Sequence, residues 1–239
     1  MTTETFEEFI RRLKEIKEMG FVKTHRSGQT GIGKTIEDLL GIEENNIPGP
    51  NALGWIELKA IRKDSKSMIT LFTLTPSPPK INSVLLKKYG YFSSKKKGKR
   101  KILHTTINGV EFNLIKNGKG FKIGISENRI DLIHYKDGIV AYWEEEKLKE
   151  RVKEKLKNLV LIKAETQDKG RNEKFWFNEG YLLIGFDFEN FKNLIKEGLI
   201  LVDIRIGQYP DGRTHDHGTA FRIFPNNLDL CYSKKEKIL

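Results

Sequence analysis

Cysteine is almost absent: Cys231 stands alone among 239 residues, which excludes an intrachain disulfide framework and a zinc site built on cysteines. No run of eighteen apolar residues exists to span a bilayer. The opening residues Met1-Thr2-Thr3-Glu4-Thr5 lead into an acidic stretch, with neither the basic segment nor the apolar core of a secretory signal. These absences set the expectation of a cytoplasmic protein with no membrane partner. Internal repeats and long low-complexity linkers are missing too. Acidic residues are outnumbered, 32 against 43 basic ones, for a formal net charge of +11. A field of that sign favours an anionic partner, and nucleic acid and a membrane surface both fit it. With 38% hydrophobic residues the chain can bury a real core, as one large domain or two intimate lobes.

What is present alternates helix and strand signals. Phe6, Phe9, Ile10, Leu13 and Ile16 share one helical face over residues 6–19, with Thr5 and Glu8 spaced as a capping box. A glycine-rich loop follows, then a short helix near 35–40 with Thr35 as its N-cap and Gly41 as its stop. Strands are predicted at 54–62 and 67–75, the second broken by Pro76, Pro78 and Pro79. Residues 101–144 read as a β-meander, with turn signals at Asn108-Gly109, Asn117-Gly118 and Asp137-Gly138. A charged helix is predicted over 145–157, a strand from Leu159 to Ile162, a helix near 188–197 and a strand from Leu199 to Ile206. The mixture predicts an α/β core with a β-rich insertion.

The chemistry concentrates between residues 33 and 62. On a strand through Glu57-Leu58-Lys59, Glu57 and Lys59 point one way while Ile56, Leu58 and Ala60 point the other. One face is apolar; the other carries an acid and an ammonium roughly 7 Å apart along the strand. A carboxylate for a hard cation beside a lysine for a water is the equipment of metal-assisted phosphodiester hydrolysis. An ordinary solvated ion pair is the alternative for these two residues, and an exposed acid beside Asp38 is the alternative for Glu37. A rival motif lies nearby. Gly28 to Thr35 satisfies the Walker A pattern, and Leu199 to Asp203 resembles a Walker B strand, but no buried apolar strand precedes Gly28.

The segment resembles the PD-(D/E)xK nuclease superfamily: a turn at Gly49-Pro50-Asn51, then Glu57-Leu58-Lys59, with Glu37 on a helix fourteen positions before Asn51. Leu53 to Lys59 is similar to the ELK-bearing segment of the MutH mismatch-repair nickase. Closer still is the similarity to the MvaI/BcnI family of restriction endonucleases, whose distal His-Gly-Thr-x-Phe-Arg segment is matched by His217 to Arg222. The resemblance implies a MutH-like mixed-sheet core flanked by helices, with the β-rich insertion forming a DNA-binding cleft. It implies one nuclease domain over 1–239: a catalytic lobe of about 1–80 plus 145–200, with 100–144 and 205–239 contributing DNA contacts.

By the same resemblance, Glu57 and the oxygen of Asn51 would ligate Mg2+, Lys59 would orient a water or stabilise the transition state, and Glu37 would sit at the edge of the site. Asn51 departs from the aspartate of the pattern; an amide oxygen can coordinate but adds no negative charge. Two accounts stay open: a substitution introduced to trap an uncleaved complex, or a native residue with slow chemistry or help from Glu43 or Glu44. For reading double-stranded DNA, the loop Gly207 to Thr219 offers Arg213, His215, Asp216 and His217, with Arg222 beyond it. Lys34 and the run Lys95 to Lys101 can meet phosphates, and Lys163 and Glu165 are weaker candidates for the cleft wall. A metal held by His215 and His217 lacks an evident third ligand, and His25, His104 and His134 fall in no constellation. The implied activity is a type II, monomeric, site-specific endonuclease acting at a short, nearly palindromic GC-bounded site such as CC-N-GG. A DNA methyltransferase of the same system would be its companion, without a stable complex. The alternatives are a MutH-like repair nickase and a DNA-binding module that has lost cleavage.

Overall fold

Phe9, Leu13 and Ile16 line the buried side of the first helix, α1 (Phe6–Glu18), and the Thr5 hydroxyl caps it by accepting from the Glu8 N–H at 3.2 Å. The structure is a computed structural model describing residues 5–43, 50–92, 100–116, 118–216 and 218–239. After α1 come β1 (Val22–Lys23), α2 (Gly31–Leu39), β2 (Glu57–Arg62), β3 (Ile69–Thr73), α3 (Ile81–Tyr89), β4 (Tyr91–Phe92) and β5 (Lys101–Ile107). Then follow β6 (Leu114–Ile115), β7 (Gly118–Lys119), β8 (Phe121–Ser126), β9 (Arg129–His134), β10 (Gly138–Glu144), α4 (Glu145–Lys155) and β11 (Asn158–Gln167). The chain ends with β12 (Lys174–Phe186), α5 (Phe188–Lys196), β13 (Ile200–Gln208), β14 (Thr214–Asp216), β15 (Ala220–Ile223) and β16 (Tyr232–Lys237).

Contacts divide the chain into two compact units: 1–66 with 153–186 and 232–239, and 67–152 with 187–231. Residues 67–80, 145–152 and 187–200, expected beside the ELK strand, therefore fall in the second unit, and 232–239 in the first. The first unit holds a mixed sheet ordered β1-β12-β11-β2, with β16 also on β12; β2 runs parallel to β11 and the other pairs are antiparallel. Phe9, Leu13 and Ile16 of α1 and Ile32 and Ile36 of α2 form one core with Ile56, Leu58, Val160, Ile162 and Phe175. The second unit holds a sheet ordered β3-β15-β13-β5-β4, with β14 on β13, and an antiparallel sheet β10-β9-β8. Among the described residues no helix is long and apolar enough to cross a membrane.

Several expected boundaries move, each for a local reason. Helix α2 begins at Gly31, so Thr35 is not its cap: the buried Thr35 hydroxyl donates to the Gly31 carbonyl at 2.8 Å and accepts from the His25 N–H at 3.0 Å. Gly31 is obligatory there, because a Cβ would lie 2.1 Å from the Arg26 carbonyl oxygen. Strand β2 starts at Glu57 rather than at 54, since Leu53 and Gly54 both take positive φ, 51° and 71°, in a tight turn closed by an Ala52–Ile56 bridge. The meander covers only 121–144; β5 instead pairs with β13 in the other sheet. Asn108-Gly109 is accordingly not a hairpin turn: the Asn108 side chain accepts from the Val110 and Glu111 N–H groups at 2.7 and 2.9 Å, ending β5. Asp137-Gly138 does lie between the paired strands β9 and β10. Asn117 falls outside the described residues.

The lone cysteine is fully buried, and burial pushes the Cys231 thiol up to about 12. Because only the thiolate attacks disulfides, native protein at about pH 8 is expected to be inert to a thiol-exchange dye. In denaturant one thiol per chain should react; rapid native labelling would contradict the burial of Cys231.

Candidate active site

Strand β2 lies at the edge of its sheet, and an edge strand leaves alternate peptide groups unpaired. The tight turn at Leu53-Gly54 folds residues 51 and 52 back along it. There the Asn51 carboxamide pairs with both backbone groups of Leu58: the Leu58 N–H donates to Oδ1 at 2.6 Å, and Nδ2 donates to the Leu58 carbonyl at 3.3 Å. Nδ2 also donates to Oε1 of Glu37, from α2, at 3.1 Å. The residues on either side of Leu58 supply the other two groups. Glu57 is only 7% exposed, and the Lys59 ammonium donates to its Oε1 at 3.0 Å. Its other oxygen, Oε2, is buried with no hydrogen-bond partner.

Asn51 is thus bonded to the Leu58 backbone and to Glu37, while Glu57 and Lys59 flank Leu58 in the chain and bond to each other. An orphaned buried carboxylate oxygen is expensive unless something positive reaches it. Glu57 Oε2 therefore fits a hard divalent cation. Among the described residues no group of three or more His, Cys, Asp and Glu side chains is placed to hold a metal. Glu43 is exposed and Glu44 lies outside the described residues.

The family model for the MvaI/BcnI restriction endonuclease family matches residues 10–232. The chain belongs to that family. It is accordingly a type II site-specific endonuclease, of a family that generally uses a divalent metal. Restriction endonuclease MvaI in complex with its cognate DNA substrate aligns over 100% of both chains at 32% identity, with a TM-score of 0.83. The same enzyme solved without DNA aligns over the same span at 32% identity and a TM-score of 0.59. Among curated proteins none matches.

Within this MvaI/BcnI chain the Walker-like loop is not a nucleotide cradle. The strand before it, β1, has two residues, Thr35 is committed inside α2, and Lys34 pairs with Asp38 at 2.6 Å. The Lys34 bond, then one from His25 Nδ1 at 2.9 Å, holds the Asp38 carboxyl below its usual range. Lys34 therefore stands one turn from Glu37 on α2 with its charge shared. Asp203, the Walker B look-alike, is 2% exposed in β13 and accepts from Arg222 at 2.6 Å, from Arg205 at 3.0 Å and from the Thr106 hydroxyl.

Arg222 is also fixed by the Met68 carbonyl at 2.8 Å, so its guanidinium ties β15 into the sheet. Asp216 is likewise engaged, by Asn82 at 2.6 Å and the Gly218 N–H at 2.8 Å. Arg213 is exposed, bonded to Asp211 at 2.7 Å with its guanidinium over the Tyr209 ring; the His215 ring meets the same tyrosine edge-on. His217 and residues 95–99 of the lysine run lie outside the described residues.

Sequence reasoning named Lys163 and Glu165 but missed Tyr181 and Glu179 on the Glu57/Lys59 face of the sheet. Lys59 pairs across β11 with Leu161, and Leu161 with Tyr181 of β12. Two residues along, Lys163 donates to Glu179 at 3.2 Å and lies over the Tyr181 ring at 5.2 Å. Burial pushes the Glu179 carboxyl up, and Tyr181, Lys163 and Lys63 together overcome it, leaving it below its usual range. Glu165 is exposed and paired with Asn178 and Lys63. Behind the site, Arg62 at the end of β2 holds Glu173 through two bonds of 2.6 and 2.7 Å. Glu173 is 8% exposed, so Glu173→Gln leaves a largely buried guanidinium short of its countercharge. The loss is about 3 kcal/mol, a fall in Tm of roughly 6–12 °C. A variant melting with the wild type would show that the clamp contributes nothing.

Proposed function

We propose that this chain is a Mg2+-dependent endonuclease that hydrolyses double-stranded DNA at a short, nearly palindromic, GC-bounded site. In this reading its first unit carries a MutH-like, PD-(D/E)xK type of core. The observation that carries the reading is the buried, partnerless Oε2 of Glu57 beside the Lys59 ammonium, on a strand whose opposite face is sealed in the core. Glu57 is the charged ligand for the cation; Asn51 Oδ1, with a second lone pair beyond its bond to the Leu58 N–H, is a neutral one. When bound, the cation supplies Lewis-acid polarisation of the scissile phosphate.

The chain's own residues do the rest. Lys59 holds the attacking water or meets the charge that develops on the phosphoryl oxygens; its bond to Glu57 Oε1 keeps the ammonium pointed at the site. Glu37 fixes the Asn51 amide. On the second unit, exposed Arg213 and half-buried His215 read base edges while Asp216 and Arg222 hold the loop and the sheet behind it. Lys34 meets a phosphate. The enzyme acts as a monomer in a system that includes a DNA methyltransferase. The similarity to MvaI supports DNA as the substrate class, since one of its structures is a complex with a cognate DNA substrate.

With an amide where a carboxylate would add negative charge, cation binding is weak and cleavage slow. A specific observation also favours a second reading, a DNA-binding module without cleavage: each polar atom of the Asn51 side chain already has a protein partner. Nicking of methylated, hemimethylated and unmethylated plasmid in Mg2+ separates the readings. Asn51→Asp is expected to raise the cleavage rate by orders of magnitude, and Glu57→Gln or Lys59→Met to abolish it. An unchanged rate in Asn51→Asp removes residue 51 from the mechanism. Strict dependence on hemimethylation would favour the nickase, and retained specific binding with no nicking by either protein would favour the binding module.

A further inference from the structure

The Asn51 side chain sits where three groups of opposite character meet. Its Oδ1 receives the Leu58 N–H, while Nδ2 faces two oxygens, the Leu58 carbonyl at 3.3 Å and Glu37 Oε1 at 3.1 Å. A carboxamide carries one acceptor oxygen and two N–H donors, so each donor has its own acceptor. An electropositive centre between a peptide carbonyl and a carboxylate does the cohesive work that a cation does among oxygen ligands. We propose that Asn51 Nδ2 is a built-in substitute for a cation, keeping α2, the 51–56 turn and the edge of β2 assembled with no metal bound. The proposal deepens the nuclease reading and rests on it for the identity of the site.

The substitution Asn51→Asp tests it without changing shape. Asp is isosteric with Asn, and its first oxygen would still accept from the Leu58 N–H. Its second oxygen, however, would face the Leu58 carbonyl and the Glu37 carboxylate, exchanging two hydrogen bonds for two repulsions. That arrangement costs stability in the absence of metal, and the same three oxygens then welcome a divalent cation. Asn51 is thus a positioning residue, acting on the backbone that presents Glu57 and Lys59. Because it already fills the electropositive role between Leu58 and Glu37, that junction is complete before any cation arrives, and the weak cation binding expected at Glu57 adds little to the stability of the fold.

Thermal unfolding of the full chain, without DNA, in EDTA and in millimolar Mg2+ reads this directly. The wild-type midpoint is expected to be the same in both. Asn51→Asp is expected to melt roughly 5 °C or more lower in EDTA and to regain most of that in Mg2+. Adding Glu37→Gln to Asn51→Asp removes the opposing charge and supplies a donor, so part of the EDTA loss should return and the Mg2+ response should shrink. If Asn51→Asp fails to fold in EDTA, refolding on addition of Mg2+ together with a folded double variant supports the proposal; neither occurring overturns it. It is also overturned if Asn51→Asp is as stable as wild type in EDTA, or if wild type gains as much from Mg2+ as the variant. Plasmid nicking is scored separately, so absence of nicking counts against the nuclease reading and leaves the melting pattern to decide the role of Nδ2.

Discussion

Leu58 is held from two directions, and the candidate site depends on both. Its side chain is 4% exposed in the core beneath α1 and α2, and its peptide N–H and carbonyl are taken by Asn51 along the open edge of β2. Burial of an aliphatic side chain fixes which face of a strand points inward, and pleating then fixes where its neighbours point. Glu57 and Lys59 are aimed by that rule. A slip of one residue in the pairing of β2 with β11 would bury the lysine and expose the leucine. The parallel register Leu58↔Val160 therefore carries functional as well as structural weight.

Charge in the second unit is handled differently. Asp203, buried in the middle of its sheet, gathers Arg205, Arg222 and Thr106 from its own and neighbouring strands. A buried carboxylate with several donors is satisfied, and little is left of it for chemistry. In the first unit Glu57 has one bonded oxygen and one orphan. The contrast separates an acid that organises a sheet from an acid placed to act, and it explains why the Walker-like letters around Asp203 and Gly28 carry no nucleotide chemistry.

The sequence made the local features legible where one physical rule dominated. The periodicity of α1, the Thr5 cap and the alternation around Leu58 each follow from a single preference, and the shared face of Glu57 and Lys59 was within reach for that reason; Glu37 and Asn51 came from the resemblance to the PD-(D/E)xK pattern. What stayed hidden depends on distant partners. Strand β12 escaped because Asn178-Glu179-Gly180 reads like a turn, yet these residues lie inside the strand, with Gly180 against the Ile162 and Leu239 side chains. With β12 unseen, Tyr181 and Glu179 could not be placed on the same sheet face as Lys59, nor the Arg62–Glu173 clamp behind the site. The extent of the meander failed for a related cause: β5 alternates like a hairpin strand, yet its partner β13 lies about a hundred residues away. That Arg222 and Asp216 are tied up inside their own unit likewise depends on Asp203, Met68 and Asn82, which no local spacing reveals.

The central claim is that the unpartnered oxygen of Glu57 is where a divalent cation enters this chain. Anomalous diffraction from crystals soaked in Mn2+ tests it with least intervening inference. The account predicts a peak against the Glu57 carboxylate, close to Lys59 and the Leu58 backbone, that vanishes in crystals of Glu57→Gln. Manganese bound only elsewhere, with Glu57 Oε2 still bare, would contradict it.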